Sequence, residues 1–231
     1  MTAGDRGRTG AGAPRGSARR AALVRAVAEL VADGGPSAVS ARAAARRAGV
    51  PLAAVTYYFD DVPALVREGV ELLLDGLGTE VRERSAAVLP PLEEDRDGSR
   101  VAAAVVALVL GPYGARGAAG VRALHARTLE LSGDGALAPQ LRTFDAACAE
   151  GVARLLRAAG RTPVAARGVL ALVDGWLVAA AVAGDGPGPA GADRLQQEVA
   201  ERLAPGLLAL APARGAVVTA DDAAEPGAAG S

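Results

Sequence analysis

Three aromatic residues stand side by side in PLAAVTYYFD, residues 51–60: Tyr57, Tyr58 and Phe59. The chain has only two Phe, three Tyr and one Trp, so half of its aromatic residues fall in one short segment. A phenol offers a hydrogen-bonding hydroxyl on a large apolar ring. Three arginines lie just upstream, Arg42, Arg46 and Arg47. Phenols beside guanidinium groups suit contact with an anionic partner. The other reactive groups are scattered. A single His, His125, leaves no His-rich metal site, and a single Cys, Cys148, leaves no intrachain disulfide. Cys148 stands between Ala147 and Ala149 on a helical pattern and reads as a buried, inert thiol. No glycine-rich loop is framed by a strand and a helix as a nucleotide fingerprint requires. No catalytic residue, metal site or cofactor is therefore expected. Asp174 is the oddest residue, because LVDGWLV puts a carboxylate in an apolar stretch. There it needs a partner such as Arg127, a subunit interface, or the wall of a pocket.

Charge separates the chain into two parts. All 25 basic residues are Arg, and nine of them fall in residues 1–59 against three acidic residues. The remainder has sixteen Arg against 23 acidic residues. A basic head on an acidic body suggests that the head meets a polyanion; a basic tail without a partner is the alternative. No uninterrupted apolar run reaches the ~18 residues of a membrane span. The longest candidate, 164–183, is broken by Arg167 and Asp174. The N-terminus lacks an apolar signal region. A soluble cytoplasmic protein with no membrane partner is the expectation.

The elements that must position these residues are all helical. Residues 1–16 have no periodicity and read as a flexible basic arm. Leu23, Val24, Val27, Leu30 and Val31 then recur at helical spacing until Gly34, Gly35 and Pro36 stop the helix. Ser40 is placed to cap a short helix with Ala41, Ala44, Ala45 and Ala48 on its inner face. Gly49 breaks that helix, and a second short one is predicted over 51–58. Short helix, glycine turn, short helix is the form of a helix-turn-helix. A long helix follows over 62–88 with an apolar stripe that includes Leu65, Val70, Leu74 and Val81. Further helices fit 99–112, 119–132, 136–159, 163–184 and 193–210. The acidic stretch 93–97 reads as a loop and 184–191 as a linker. The division is thus arm 1–16, helix-turn-helix domain 17–61, helical domain 62–211 and disordered tail 212–231, in an all-α fold.

The stretch SARAAARRAGVPLAAVTYYF, between an amphipathic helix and a Leu-containing one, resembles the N-terminal domain of TetR-family transcriptional regulators. The resemblance covers about a quarter of the chain. It implies sequence-specific DNA binding, a homodimer on a palindromic double-stranded operator, and a C-terminal domain that binds a small-molecule effector, most often to release a repressor. A recognition helix enters the major groove with its N-terminal residues leading. Tyr57 and Tyr58 are expected at phosphate, with Val55 and Phe59 facing inward. Arg42 lies where phosphate contacts are expected, while Arg46 and Arg47 read equally as a solvated face. Base reading is assigned to Leu52, Ala53, Thr56 and Tyr57, through shape and thymine methyl contacts more than Arg–guanine pairs.

The sequence departs from the family at several positions. Pro51 stands where the recognition helix often opens with Ser, Leu52 where Lys or Arg is common, and Thr56 where Tyr is common. Each change removes an expected phosphate contact. An effector pocket is expected among the helices at 62–88, 99–112, 119–132 and 163–184. Its candidate residues are Tyr113, His125, Arg127, Asp174 and Trp176, each of which reads equally as structural. The small-residue faces Ala146, Ala147, Ala153 and Ala166, Ala179, Ala180, Ala183 suit either subunit pairing or intrachain packing. The rival reading is an all-helical small-molecule carrier or enzyme that uses the C-terminal cavity without DNA.

Overall fold

A computed structural model describes residues 13–87, 92, 95–111, 117–183 and 189–212. Most of the predicted arm, most of the linker 184–191, nearly all of the tail, and Tyr113 lie outside the described residues. The regular elements among the described residues are helices: α1 Ala13–Gly34, α2 Ala41–Ala48, α3 Ala53–Tyr58, α4 Val62–Ala87, α5 Ser99–Leu110, α6 Gly117–Ser132, α7 Ala138–Ala158, α8 Ala166–Ala183 and α9 Pro189–Leu210. Three single 3₁₀ turns precede α2, α7 and α8. The first helix begins at Ala13, inside the segment expected to be an arm. Pro14 sits in its first turn, where a missing N–H leaves no hydrogen bond unmade.

Local chemistry sets the boundaries near the N-terminus. Ser40 Oγ accepts the Ala43 N–H at 3.1 Å and caps α2. Gly49 ends that helix at φ 67°, a left-handed conformation open to glycine without strain. The Val50 N–H returns to the Ala45 carbonyl at 3.0 Å and closes the turn. Pro51 and Leu52 belong to this turn, so α3 starts two residues later than expected. Leu52 has helical dihedrals but no side-chain acceptor to cap α3. Asp61 Oδ1 accepts the Ala64 N–H at 2.6 Å and starts α4.

The apolar faces assemble into two cores. Leu23, Val27 and Val31 of α1 meet Ala44 and Ala45 of α2, Val55 of α3, Phe59, and Leu65, Val70 and Leu74 of α4. The second core gathers Val105 and Val106 of α5, Val121 of α6, Val152 and Leu156 of α7, Val169, Val173 and Leu177 of α8, and Val199 and Leu203 of α9. The first half of α4 belongs to the N-terminal core, and Val81 further along belongs to the other. The 21-residue segment Pro163–Ala183, which contains α8, is long and apolar enough to cross a membrane. Its Val169, Val173, Leu177 and Ala180 are buried in the protein's own core.

The acidic stretch at 93–97 is more than a solvated loop. Asp95 is buried, and its carboxylate accepts the Arg100 and Val101 N–H groups at 3.2 and 2.8 Å, capping α5. Buried Arg161 donates to the carbonyls of Asp95 at 3.1 Å and Ala211 at 3.3 Å. This ties the start of α5 to the end of α9.

Candidate nucleic-acid interface and regulatory domain

The aromatic cluster divides between inside and outside. Val55 and Phe59 are only 2% and 6% exposed and anchor α3 to the N-terminal core. Tyr57 is 80% exposed. Tyr58 is half-buried, packed against the core, with the Tyr57 ring edge-on at 4.8 Å between centroids. Arg20 of α1 lies 4.8 Å above the Phe59 ring centroid and pairs with Glu68 of α4. The ring is therefore held from both sides, and the short α3 is fixed in place by two anchors and a stack.

Pro51, Leu52, Ala53, Thr56 and Tyr57 are all exposed and form the outward face of the turn and α3. The Thr56 hydroxyl donates to the Ala53 carbonyl at 3.2 Å, so its proton stays with the helix's own backbone. Arg42 and Arg46 of α2 are exposed and form no ion pair among the described residues. Arg47 behaves differently. Glu29 and Asp33 of α1 hold it at 3.1 and 3.2 Å, and these bonds raise its pKa. Their charge opposes that of Arg47, which leaves Arg42 and Arg46 as the free cations of α2. The four-residue spacing of Glu29 and Asp33 on α1 was the available clue, but only packing shows which arginine meets them.

The described regulatory candidates, His125, Arg127, Asp174 and Trp176, border neither of two spaces in the helical domain, one between α5 and α9 and one between α4, α5 and α7. Arg127 is buried and donates to the Asp33 carbonyl at 2.8 Å, at the C-terminal end of α1. Glu130, one turn later on α6, accepts the Ser37 N–H at 3.1 Å. The two bind the α1–α2 connection to α6, a role for Glu130 that no local sequence pattern marked. Gln140 of α7 likewise donates to Glu71 of α4 at 2.7 Å. Half-buried Trp176 has Arg202 of α9 over its ring at 5.3 Å. His125 Nδ1 lies 2.9 Å from the Val121 carbonyl of its own helix. An open cleft of about 370 Å³ lies between α5 and α9, bordered by Ser99, Asp193, Gln196 and Glu201. A cavity of about 50 Å³ lies between α4, α5 and α7, bordered by Ser85, Ala104, Leu108 and Leu155.

The small-residue faces also separate. Ala153, Ala166 and Ala180 are buried within the chain, whereas Ala146, Ala179 and Ala183 are exposed. Cys148 is half-buried, and burial, then Asp145 and Asp174, push its thiol up to about 12. The thiolate is thereby suppressed at neutral pH. Asp174 does not lie inside the apolar core but on the outward face of α8. Neighbouring side chains still crowd its carboxyl: this desolvation raises its pKa, His125 opposes the rise and Asp145 adds to it. A carboxyl with a raised folded-state pKa costs stability when ionised, and the cost disappears as pH falls below its unfolded value. Asp174→Asn is therefore expected to raise Tm near pH 7. Thermal melts across pH should show the gain shrinking through the carboxylate range.

Residues 96–210 match the family model of the tetracyclin repressor-like C-terminal domain. No curated protein sequence matches the chain. Among solved structures, the chain is similar to a member of the TetR family from Streptomyces coelicolor A3, with 26% identity, a TM-score of 0.50, and coverage of 81% of this chain and 98% of that one. It also resembles a TetR transcription regulator from Haloarcula marismortui at TM-score 0.54, covering 82% of this chain and 98% of that one; at 16% identity this bears on the fold alone. With the helix-turn-helix on one side of α4 and the matching C-terminal domain on the other, the chain belongs to the TetR family of DNA-binding transcriptional regulators.

Proposed function

We propose that this chain is a homodimeric repressor that binds a palindromic operator through α2 and α3 and is released by a small-molecule effector. The observation that carries this reading is the outward face of α3. Tyr57 is 80% exposed on a helix whose opposite face is locked by Val55 and Phe59. An aromatic side chain held in water on a rigid support suits a partner that covers it. Arg42 and Arg46 supply phosphate contacts from the preceding helix, and Tyr57 and Tyr58 supply others.

Pairing of two copies is supported by the outward face of α8. Gly175 and Ala179 are exposed there beside Val178 and Val182, the latter 80% exposed. A twofold pair presents two recognition helices to two half-sites. Effector release has two routes to the reading head: α4, which is shared by both cores, and the Arg127–Glu130 tie from α6. A drug-sized ligand needs ~300 Å³ or more, and the space between α4, α5 and α7 is about 50 Å³. An effector entering there must part these helices, and such parting displaces α4. Coupling of about 1–3 kcal/mol is then enough for release. Tyr113, His125, Arg127, Asp174 and Trp176 remain the residues proposed for an effector site among α4, α5, α6 and α8. The small space between α4, α5 and α7 favours a second reading, a constitutive DNA binder without an effector.

Fluorescence anisotropy with DNA from upstream of the protein's own gene, against scrambled DNA at two salt concentrations, tests the main reading. Tight binding to the first DNA alone is expected. Tyr57→Ala is expected to weaken it about 10- to 100-fold, the value of hydrogen bonds to a charged group. Its stability should stay within about 0.5 kcal/mol, because the side chain is mostly in water. Equal, salt-sensitive binding to both DNAs rejects operator recognition there. Isothermal titration giving the same effector affinity with and without operator leaves the constitutive reading.

A further inference from the structure

The side chains that distinguish guanine and adenine by paired hydrogen bonds are Arg, Lys, Asn and Gln. Residues 51–58 contain none of them. Hydrogen-bonding capacity on the turn and α3 is limited to Thr56, Tyr57 and Tyr58. The Thr56 proton is donated to the Ala53 carbonyl at 3.2 Å, leaving a methyl group and a lone pair for any partner. Tyr58 is half-buried against the core. What faces outward is largely hydrocarbon: Pro51, the Leu52 side chain on a residue 45% exposed, Ala53 and the Thr56 methyl, with one phenol beside them. The free cations Arg42 and Arg46 lie on α2, the helix that crosses the DNA backbone in this motif, which commits them to phosphate.

In the major groove one group matches a hydrocarbon face, the 5-methyl of thymine. We infer that α3 selects DNA by thymine methyl groups, with Leu52 as the principal contact, and that 5-methylcytosine satisfies the same face. This rests on the operator-binding reading above. Burying one methyl group corresponds to about a three- to fivefold change in affinity.

The test begins with selection of duplexes from a random pool by the full-length protein. Each thymine of the selected site is then replaced by uracil, which keeps every hydrogen bond and removes only the methyl. At one or more positions binding should weaken about three- to fivefold. At those positions a cytosine–guanine pair should bind more weakly than its 5-methylcytosine counterpart. In Leu52→Ala, which removes a partly exposed side chain and should fold normally, the uracil penalty should vanish at one or more of them. If the pool yields no enriched sequence, operator recognition fails and this inference with it. If a sequence is enriched but uracil binds as tightly as thymine throughout, only the methyl reading is overturned. A uracil penalty that persists unchanged at every position in Leu52→Ala also overturns it, since Leu52 is then not the principal contact.

Discussion

Phe59→Ala is expected to lower the stability of the N-terminal core by about 3–5 kcal/mol, the usual cost of deleting a buried phenyl ring. Phe59 is 6% exposed and joins α3 to Leu23, Val27 and Leu65. Its cluster partners on α2 and α3 are small: Ala44, Ala45 and Val55. They cannot expand to fill the space left by a phenyl ring. The substitution also removes the surface on which Arg20 stacks at 4.8 Å. Because α3 has only six residues, it has no stability of its own once its anchor is lost. The C-terminal core does not include Phe59. Urea unfolding followed by circular dichroism should therefore show an early loss of a minor part of the helix signal, then the main transition near its original midpoint. A single transition at an unchanged midpoint would mean that Phe59 does not anchor α3. DNA binding should be lost together with the early phase, whereas in Tyr57→Ala it weakens with no change in unfolding.

Gly69→Ala should destabilise the same core, against the normal trend. In a helix interior, Gly→Ala ordinarily gains about 1 kcal/mol. At Gly69 a Cβ would lie 2.3 Å from Val27 Cγ1, 2.7 Å from Val27 Cβ and 3.2 Å from the Ala28 nitrogen. Val27 Cβ is fixed to its backbone and cannot swing away, so α1 and α4 must separate. Overpacking of this kind costs about 1–3 kcal/mol, which outweighs the propensity gain. Gly76 on the same helix is the internal control, because nothing lies within 4 Å of a Cβ built there. Gly76→Ala should stabilise and Gly69→Ala destabilise, as read by the denaturation midpoint. If both shift in the same direction, the close approach of α1 to α4 is not the reason for Gly69.

The sequence by itself determined the helices, the helix-turn-helix and the family to which its residues point. Each of these depends on local order along the chain. Periodic apolar residues mark Leu23, Val27 and Val31 on one face; Ser40 caps α2; Gly49 permits the turn; and Val55 and Phe59, four residues apart, both face inward. Hydrogen bonds and sterics within a few residues are enough to specify such features. The helix starts at Ala13 and Ala53 were displaced from expectation because a proline is compatible both with a first turn and with the loop before it.

Only the tertiary structure decided which equivalent-looking residues have partners. Arg46 and Arg47 are neighbours in sequence, yet only Arg47 meets Glu29 and Asp33. Arg127 read equally as a pocket residue or a structural one, and it donates to the Asp33 carbonyl at the end of α1. Asp174 looked buried within an apolar run and instead lies on the outward side of α8. The alanines of α7 and α8 looked like continuous faces and are divided between the core and the surface. In each case the deciding contact joins residues far apart in the chain. The rotation of one helix against another sets that contact, and a periodic pattern defines an apolar face without saying which neighbour covers it.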